Sequence, residues 1–178
     1  MRRRQAIKIS SLGAIGFSAS INTGCASNAF SFDHGVASGD PTEERVILWT
    51  RVTPKNVGTV QVILEVSEKE NFSKIVFKKE LHTSSLIDYT IKYDFEASKY
   101  CKSHEGFFYR FKAGNVFSEV GKSKTFSTDT KSVKIGIFSC SNYPAGYFNA
   151  YAAAAKNNLD LWLHLGDYLY EYPMGGYA

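Results

Sequence analysis

The chain has 178 residues, of which 44% are hydrophobic and 15% aromatic, and this composition is typical of a folded, β-rich protein and excludes a disordered one. Of its 21 basic residues, four lie in the first eight positions, which leaves 17 to balance the 17 acidic residues and accounts for the net charge of +4. The balanced remainder offers no basic surface of the kind that binds nucleic acid.

Residues 1–29 have the organisation of an export signal. "MRRRQAIK" is basic, and "ISSLGAIGFSASI" is an apolar stretch too short to span a membrane as a helix. The arginine pair resembles a twin-arginine signal, which would direct the folded protein to the twin-arginine export machinery. A general secretory signal, which also starts with basic residues, is the alternative. Either signal predicts an exported protein that lies in the periplasm or cell envelope or is secreted.

Cys25 lies within "INTGCAS", a segment that resembles the lipid-attachment box of bacterial lipoproteins, with Asn22 where a leucine is usual. Cleavage near Ala26 or Ala29 is the alternative, and under both readings Cys25 lies outside the folded core. A lipid on Cys25 is the only route by which this sequence indicates membrane anchoring.

Residues 30–128 are predicted to form a β-sandwich of the immunoglobulin or fibronectin type III kind. Short alternating segments follow one another with no helix between them, separated by Gly, Asn, Ser and Lys. We expect Trp49 in the core. "GVASGDP" lacks the lysine and the helix of a phosphate-binding loop, so we expect it to form the entry and first turn of the sandwich. The predicted strands are RVILWTRV, TVQVILEVS, KIVFKKEL, LIDYTIKYDFEA, GFFYRFKAG and VFSEVGKSKTF.

Residues 133–178 have a different pattern. "SVKIGIFSC" and "LDLWLHLGD" are continuous apolar strands, and "GYFNAYAAAAKNN" between them has helical spacing and four consecutive alanines. Strand, helix and strand in this order predict a βαβ unit with parallel strands. A parallel sheet needs more strands and covering helices, so we expect the chain to be the N-terminal part of a longer protein whose second domain is truncated.

Both apolar strands end on side chains that can bind a metal. Cys140 ends the first and Asp167 ends the second, and parallel strands deliver both to the same edge of a sheet. A thiolate and a carboxylate suit a metal, and the phenolate of a following tyrosine, Tyr168 or Tyr170, can ligate ferric iron. The alternatives are structural roles: Asp167 as a turn or helix cap, and Cys140 as a small buried residue.

His164 lies inside the second strand, where a packed residue or one that supports metal ligands is more typical than a direct ligand. Tyr168 is predicted to belong with His164 to these supporting residues. Cys101 and Cys140 could form a disulfide in an exported protein, but the place of Cys140 beside the expected site favours metal binding instead.

Four segments occur together in this chain: FDHGVASGDPTEERVILWTRVTP from Phe32, FFYRFKAGNVFSEVGKSKTF from Phe107, FSCSNYPAGYFNAYAAAA from Phe138 and DLWLHLGDYLYEY from Asp160. Together with the signal, they resemble the alkaline phosphatase D (PhoD-like) family of bacterial secreted phosphatases. The resemblance implies an N-terminal immunoglobulin-like domain and a catalytic domain of the metallophosphoesterase type that uses iron, Fe(3+), and calcium, Ca(2+).

By this resemblance Cys140, Asp167 and Tyr170 match metal ligands, and further Asn, His and Asp ligands are expected downstream. "FSC" stands where ordinary metallophosphoesterases have Asp-x-His, which fits the PhoD branch. The implied activity is hydrolysis of phosphate esters by metal-activated water, as an alkaline phosphatase or phosphodiesterase, with an incomplete site in this chain alone. The alternative is a non-catalytic β-sandwich module of the cell envelope.

Overall fold

The computed structural model describes residues 29–102, 106–142 and 147–173. The predicted export signal, including Cys25, lies outside the described residues apart from Ala29. Across the three described ranges, none of the helices combines the length and the apolar character that crossing a membrane requires.

The strands and the α-helices of the described residues are numbered separately, each in chain order. The strands are β1 (Phe30–Ser31), β2 (Val36–Gly39), β3 (Val46–Arg51), β4 (Thr53–Pro54), β5 (Val60–Ser67), β6 (Ile75–Thr83), β7 (Thr90–Phe95), β8 (Phe107–Ala113), β9 (Val116–Phe117), β10 (Gly121–Ser123), β11 (Ile135–Phe138) and β12 (Leu161–His164), and the helices are α1 (Ala97–Tyr100) and α2 (Asn149–Ala155).

Strands β2 to β10, without β4, build two antiparallel sheets. The larger has the order β10-β8-β5-β6 with β9 also paired to β8, and the smaller has the order β2-β3-β7. Phe95 of the smaller sheet packs against Phe77 and Phe107 of the larger, with ring centroids 5.1 and 5.3 Å apart. The two sheets therefore share one core, as in a β-sandwich.

The core follows from the alternation of side chains along the strands, which turns every second residue inward. Each fully buried Val, Leu or Phe contributes about 1.5–3 kcal/mol to stability relative to an exposed one. The buried core residues are Val46, Leu48, Val52, Val60, Val62, Leu64, Val66, Ile91, Phe95, Ala97, Phe107, Tyr109, Phe111 and Ala113.

Trp49 is not a core residue, which corrects the expectation from the sequence. Val46, Leu48 and Thr50 on β3 are buried, so the neighbouring Trp49 points to the other face of the sheet and stays partly exposed. The alternation of the strand overrides the general preference of tryptophan for the interior.

Two predicted segments differ in detail. Val36–Gly39 of "GVASGDP" is a strand that pairs with β3, and is not only an entry turn. The segment "LIDYTIKYDFEA" becomes a strand only at Thr90, because Ser85–Ile87 is a 3₁₀ turn and both Asp88 and Tyr89 have positive φ.

Strands β11 and β12 pair in parallel, in register from Ile135 with Leu161 to Phe138 with His164, and α2 lies between them in the chain. Helix α2 is shorter than the predicted helix over residues 146–158. Large apolar side chains of these elements remain exposed, for example Ile137 at 63% and Trp162 at 55%. Within the described residues, this parallel pair therefore lacks the cover that a parallel sheet needs.

Candidate metal centre

The ends of β11 and β12 lie side by side. Leu165 N donates a hydrogen bond to Phe138 O at 2.8 Å, and Cys140 N donates one to Gly166 O at 3.2 Å. The backbone contact between the two segments thus continues past the strands. It brings the residues that follow them, including Cys140 and Asp167, to one edge of the pair, as the sequence predicts.

The backbone at this edge is in a conformation that costs free energy. Cys140 has φ +56° and Asp167 has φ +52°, both in the left-handed region that side chains other than glycine rarely adopt. Gly166, which directly precedes Asp167, has φ +128°, a conformation that glycine adopts far more readily than other residues, so its role here is conformational. Non-glycine residues held in this way cost on the order of 1–3 kcal/mol each and cluster at functional sites.

Three side chains converge at this edge. The Cys140 thiol donates a hydrogen bond to Asp167 Oδ2 at 3.3 Å. The Tyr170 hydroxyl lies close enough to the side chains of both Cys140 and Asp167 for each of them to affect its pKa. The polar interaction with Cys140, loss of hydration and the negative charge of Asp167 all raise the pKa of Tyr170.

The chemistry of this donor set fits a ferric ion. A thiolate, a carboxylate and a phenolate are anionic ligands of the kinds that iron accepts in proteins. Over the described ranges no three His, Cys, Asp or Glu residues form a metal-binding group. The further side chain of this donor set beside Cys140 and Asp167 is the phenol of Tyr170. A bound cation would favour the charged form of Tyr170, which is the reverse of the effect of Cys140 and Asp167 on the pKa of Tyr170.

The disulfide alternative is not what the structure forms. Cys101 and Cys140 are both free thiols. Cys101 is half-buried against the core of the two sheets, and burial, with the charge of Glu68, raises its pKa to about 11. Cys101 therefore stays a neutral thiol, and Cys140 remains available at the strand edge.

Tyr151 and Ser141 belong to the surroundings of this site, although the sequence did not point to them. The Tyr151 hydroxyl lies 2.6 Å from Ser141 Oγ and 3.1 Å from His164 Nε2. His164 Nδ1 accepts a hydrogen bond from Gly166 N at 3.3 Å, and the Tyr168 ring stands edge-on to His164 with centroids 4.9 Å apart. Tyr151 sits in an alanine-rich helix whose spacing indicates only packing, so no local signal marked it.

Asn142 is a further polar residue beside Cys140 and Ser141. Both polar atoms of its side-chain amide are buried, and neither has a hydrogen-bond partner within the described residues. A buried amide without partners costs about 1–3 kcal/mol, so Asn142 adds unused hydrogen-bonding capacity to this edge.

An apolar cavity of about 800 Å³ opens beside the candidate ligands. Phe138 and Trp162 of the strands, Phe148 before α2 and Leu169 are among the residues that line it, and Tyr170 forms part of its wall. The cavity places a large uncovered apolar surface next to the edge where Cys140 and Asp167 meet.

Two family models match the chain: the N-terminal domain of PhoD-like phosphatases over residues 18–127 and the PhoD-like phosphatase domain over residues 135–178. The chain belongs to the PhoD-like phosphatase family, which confirms the resemblance seen in the sequence.

Alkaline phosphatase D of Bacillus subtilis (strain 168) is 36% identical over 161 residues, which cover 85% of this chain and 27% of that protein. A solved structure, described as the structure of PhoD, matches with a TM-score of 0.70 and 36% identity, over 78% of this chain and 28% of the solved one. The chain therefore spans about a quarter of the length of the relatives it matches.

Proposed function

We propose that the full-length protein containing this chain hydrolyses phosphate esters, as an alkaline phosphatase or phosphodiesterase of the PhoD type. Membership of the PhoD-like phosphatase family supports the class of reaction. The observation that carries the proposal is the convergence of Cys140, Asp167 and Tyr170 at the carboxyl ends of two parallel strands. In open α/β sheets, bound ions and small molecules lie beyond the carboxyl ends of the strands, which is where these side chains meet.

The proposed ligands of a ferric ion are Cys140, Asp167 and Tyr170, and calcium follows from the family resemblance. Within the chain, Asp167 presents one oxygen to the Cys140 thiol and has a second oxygen for another cation. When bound, the metal ions supply Lewis-acid chemistry that neutralises charge on the phosphate and activates water. As a phenolate, Tyr170 would hold a bound ferric ion with a third negative charge, which would favour the oxidised state of iron.

The proposed domain organisation is an immunoglobulin-like accessory domain at residues 30–128 and the beginning of an α/β metallophosphoesterase domain at residues 133–178. The exposed apolar faces of β11 and β12 support this division, because a parallel sheet is normally covered on both sides. Further chain would cover these faces and supply the remaining ligands. We therefore propose that the 178-residue chain alone is inactive.

The proposed location is outside the cytoplasm, in the periplasm, the cell envelope or the medium. The basic and apolar segments of residues 1–29 support export by the twin-arginine machinery. A lipid on Cys25 would add a membrane anchor.

The expected substrate is a phosphate ester.

The test is hydrolysis of p-nitrophenyl phosphate and of its bis ester by the full-length protein, with and without a chelator. We expect chelator-sensitive cleavage that Cys140→Ser lowers by about 100-fold or more, since losing groups that merely support metal ligands already costs roughly 10- to 100-fold. Cys101→Ser is the matched control and should leave activity unchanged. Absence of cleavage, or cleavage that neither the chelator nor Cys140→Ser affects, would contradict the proposal and favour a non-catalytic envelope module.

A further inference from the structure

The hydrogen bonds around Tyr151 form one continuous chain between the two strand ends. Gly166 N donates to His164 Nδ1 at 3.3 Å, so Nδ1 is an acceptor and the proton of the neutral ring is on Nε2. His164 Nε2 can then donate to the Tyr151 hydroxyl at 3.1 Å, which in turn donates to Ser141 Oγ at 2.6 Å. Each of these four groups therefore has a consistent donor or acceptor role in the series of hydrogen bonds.

The residues at the two ends of this series of hydrogen bonds are covalent neighbours of candidate ligands. Ser141 directly follows Cys140, and Gly166 directly precedes Asp167. The two ligand residues are joined to each other by a 3.3 Å contact from Sγ to Oδ2, and both have left-handed backbone conformations. Such conformations persist only where surrounding contacts hold them.

The position of the Tyr151 hydroxyl is set by packing. The Tyr151 ring lies 4.8 Å from Phe138 and 5.4 Å from Phe148, centroid to centroid. Phe138 is the last residue of β11 and Phe148 directly precedes α2, the helix that carries Tyr151, so the ring is held between the end of β11 and the start of its own helix. The hydroxyl can therefore act as a fixed point for both strand ends.

We propose that Tyr151 is a positioning residue whose hydroxyl fixes the segments after β11 and β12, and so sets the separation of Cys140 and Asp167. The phenol touches neither side chain directly and acts through Ser141 and His164. The link to metal binding rests on the proposed function, whereas the link to the geometry of Cys140 does not.

The first experiment measures iron binding to metal-free, full-length protein by titration with ferric citrate. Tyr151→Phe keeps the ring and removes only the hydroxyl, and we expect iron affinity to fall by roughly 10- to 100-fold, as for other groups that orient metal ligands. Tyr147→Phe is the matched control, because it makes the same chemical change at an exposed side chain just before α2. Equal iron affinity of Tyr151→Phe and the parent would overturn the proposal.

The second experiment needs no metal. In metal-free protein carrying Cys25→Ser and Cys101→Ser, Cys140 is the reactive thiol of the described residues, and its rate with Ellman's reagent reports how it is held. We expect Tyr151→Phe to raise this rate several-fold and Tyr147→Phe to leave it unchanged. If the parent binds no iron but the rate still changes, the proposed metal site fails and the positioning role stands. An unchanged rate contradicts the positioning role.

A double-mutant cycle separates the hydrogen-bonded chain from a general loss of packing. Ser141→Ala and Tyr151→Phe remove two ends of one hydrogen bond, so their effects on the thiol rate should be strongly non-additive. Fully additive effects would contradict a connected chain. If Tyr151→Phe fails to fold, Ser141→Ala alone still tests the role, since it interrupts the chain and leaves the aromatic packing intact.

Discussion

Glu65 shows how a single charged residue is accommodated between the strands of the larger sheet. It is only 4% exposed. Its carboxylate accepts hydrogen bonds from Arg110 at 2.8 and 3.0 Å and forms an ion pair with Lys78 at 3.1 Å. The Arg110 guanidinium lies 3.9 Å from the Phe72 ring centroid and 4.1 Å from that of Phe117. The charge pair is thus covered by aromatic rings, which limits its hydration.

These partners make stability depend on the protonation of Glu65. Burial by itself would raise the pKa of Glu65, but the hydrogen bonds of Arg110 and Lys78 outweigh it and hold the pKa below its ordinary value of 4.5. A lowered pKa in the folded state means that the stabilisation is present above about pH 4.5 and disappears as the pH falls through the folded-state value.

We predict that Glu65→Gln lowers the free energy of unfolding at pH 7 by about 2 kcal/mol, the usual worth of hydrogen bonds to a charged group. The difference from the parent should shrink as the pH falls through the lowered folded-state pKa of Glu65, where the carboxyl itself becomes protonated. Urea unfolding at pH 7 and at a series of lower pH values measures this difference. Glu80→Gln on the neighbouring β6 is exposed and should change stability little; an equal loss in both variants would contradict the role of burial.

At the scale of elements, β10 depends on a residue without a side chain. Gly121 pairs with Tyr109 of β8, and a Cβ on Gly121 would overlap the Tyr109 ring. That ring is 2% exposed and packs edge-on to Phe111, so it has no room to move aside. The close approach of β10 to β8 therefore requires glycine at this position.

We predict that Gly121→Ala destabilises the protein by about 1–3 kcal/mol, because the added methyl overfills a packed core. The matched control is Gly39→Ala at the end of β2, where a Cβ meets nothing within 4 Å. Thermal unfolding of the two variants beside the parent is the measurement. Equal melting temperatures of Gly121→Ala and Gly39→Ala would show that the ring of Tyr109 does move.

At the scale of the whole molecule, Asp160 connects the sheets to the parallel strands. Its carboxylate pairs with Lys124, which follows β10, and accepts a hydrogen bond from Lys134 N, just before β11, at 2.7 Å. The hydrogen bond from Lys124, followed by that from Lys134, lowers the pKa of Asp160. The contact is therefore present at neutral pH and is lost when acid protonates Asp160.

We predict that Asp160→Asn loosens the segment over residues 125–134 between the two parts. Trypsin should then cleave after Lys131 several-fold faster at neutral pH, as followed by mass spectrometry of the fragments. Asp129→Asn, an exposed acid in the same segment, should leave the cleavage rate at its parent value. A rate unaffected by Asp160→Asn would mean that other contacts hold this segment.

The sequence alone determined those features that depend on local pattern. Alternation with period two predicted the strands from Arg45 onward, and continuous apolar runs predicted β11 and β12 as strands, although their apolar side chains are exposed within the described residues. Because parallel strands end at one edge, the order of residues was enough to predict that Cys140 and Asp167 would meet. The motifs around them were enough to identify the family.

Only the tertiary structure decided which distant residues complete these sites. Glu65 and Arg110 are 45 positions apart, and Tyr151 lies 13 positions from His164 on another element. The inward face of β3, which leaves Trp49 outside, is likewise set by the register with its neighbours. Such contacts depend on how elements pack against each other, and a local sequence pattern carries no record of that packing.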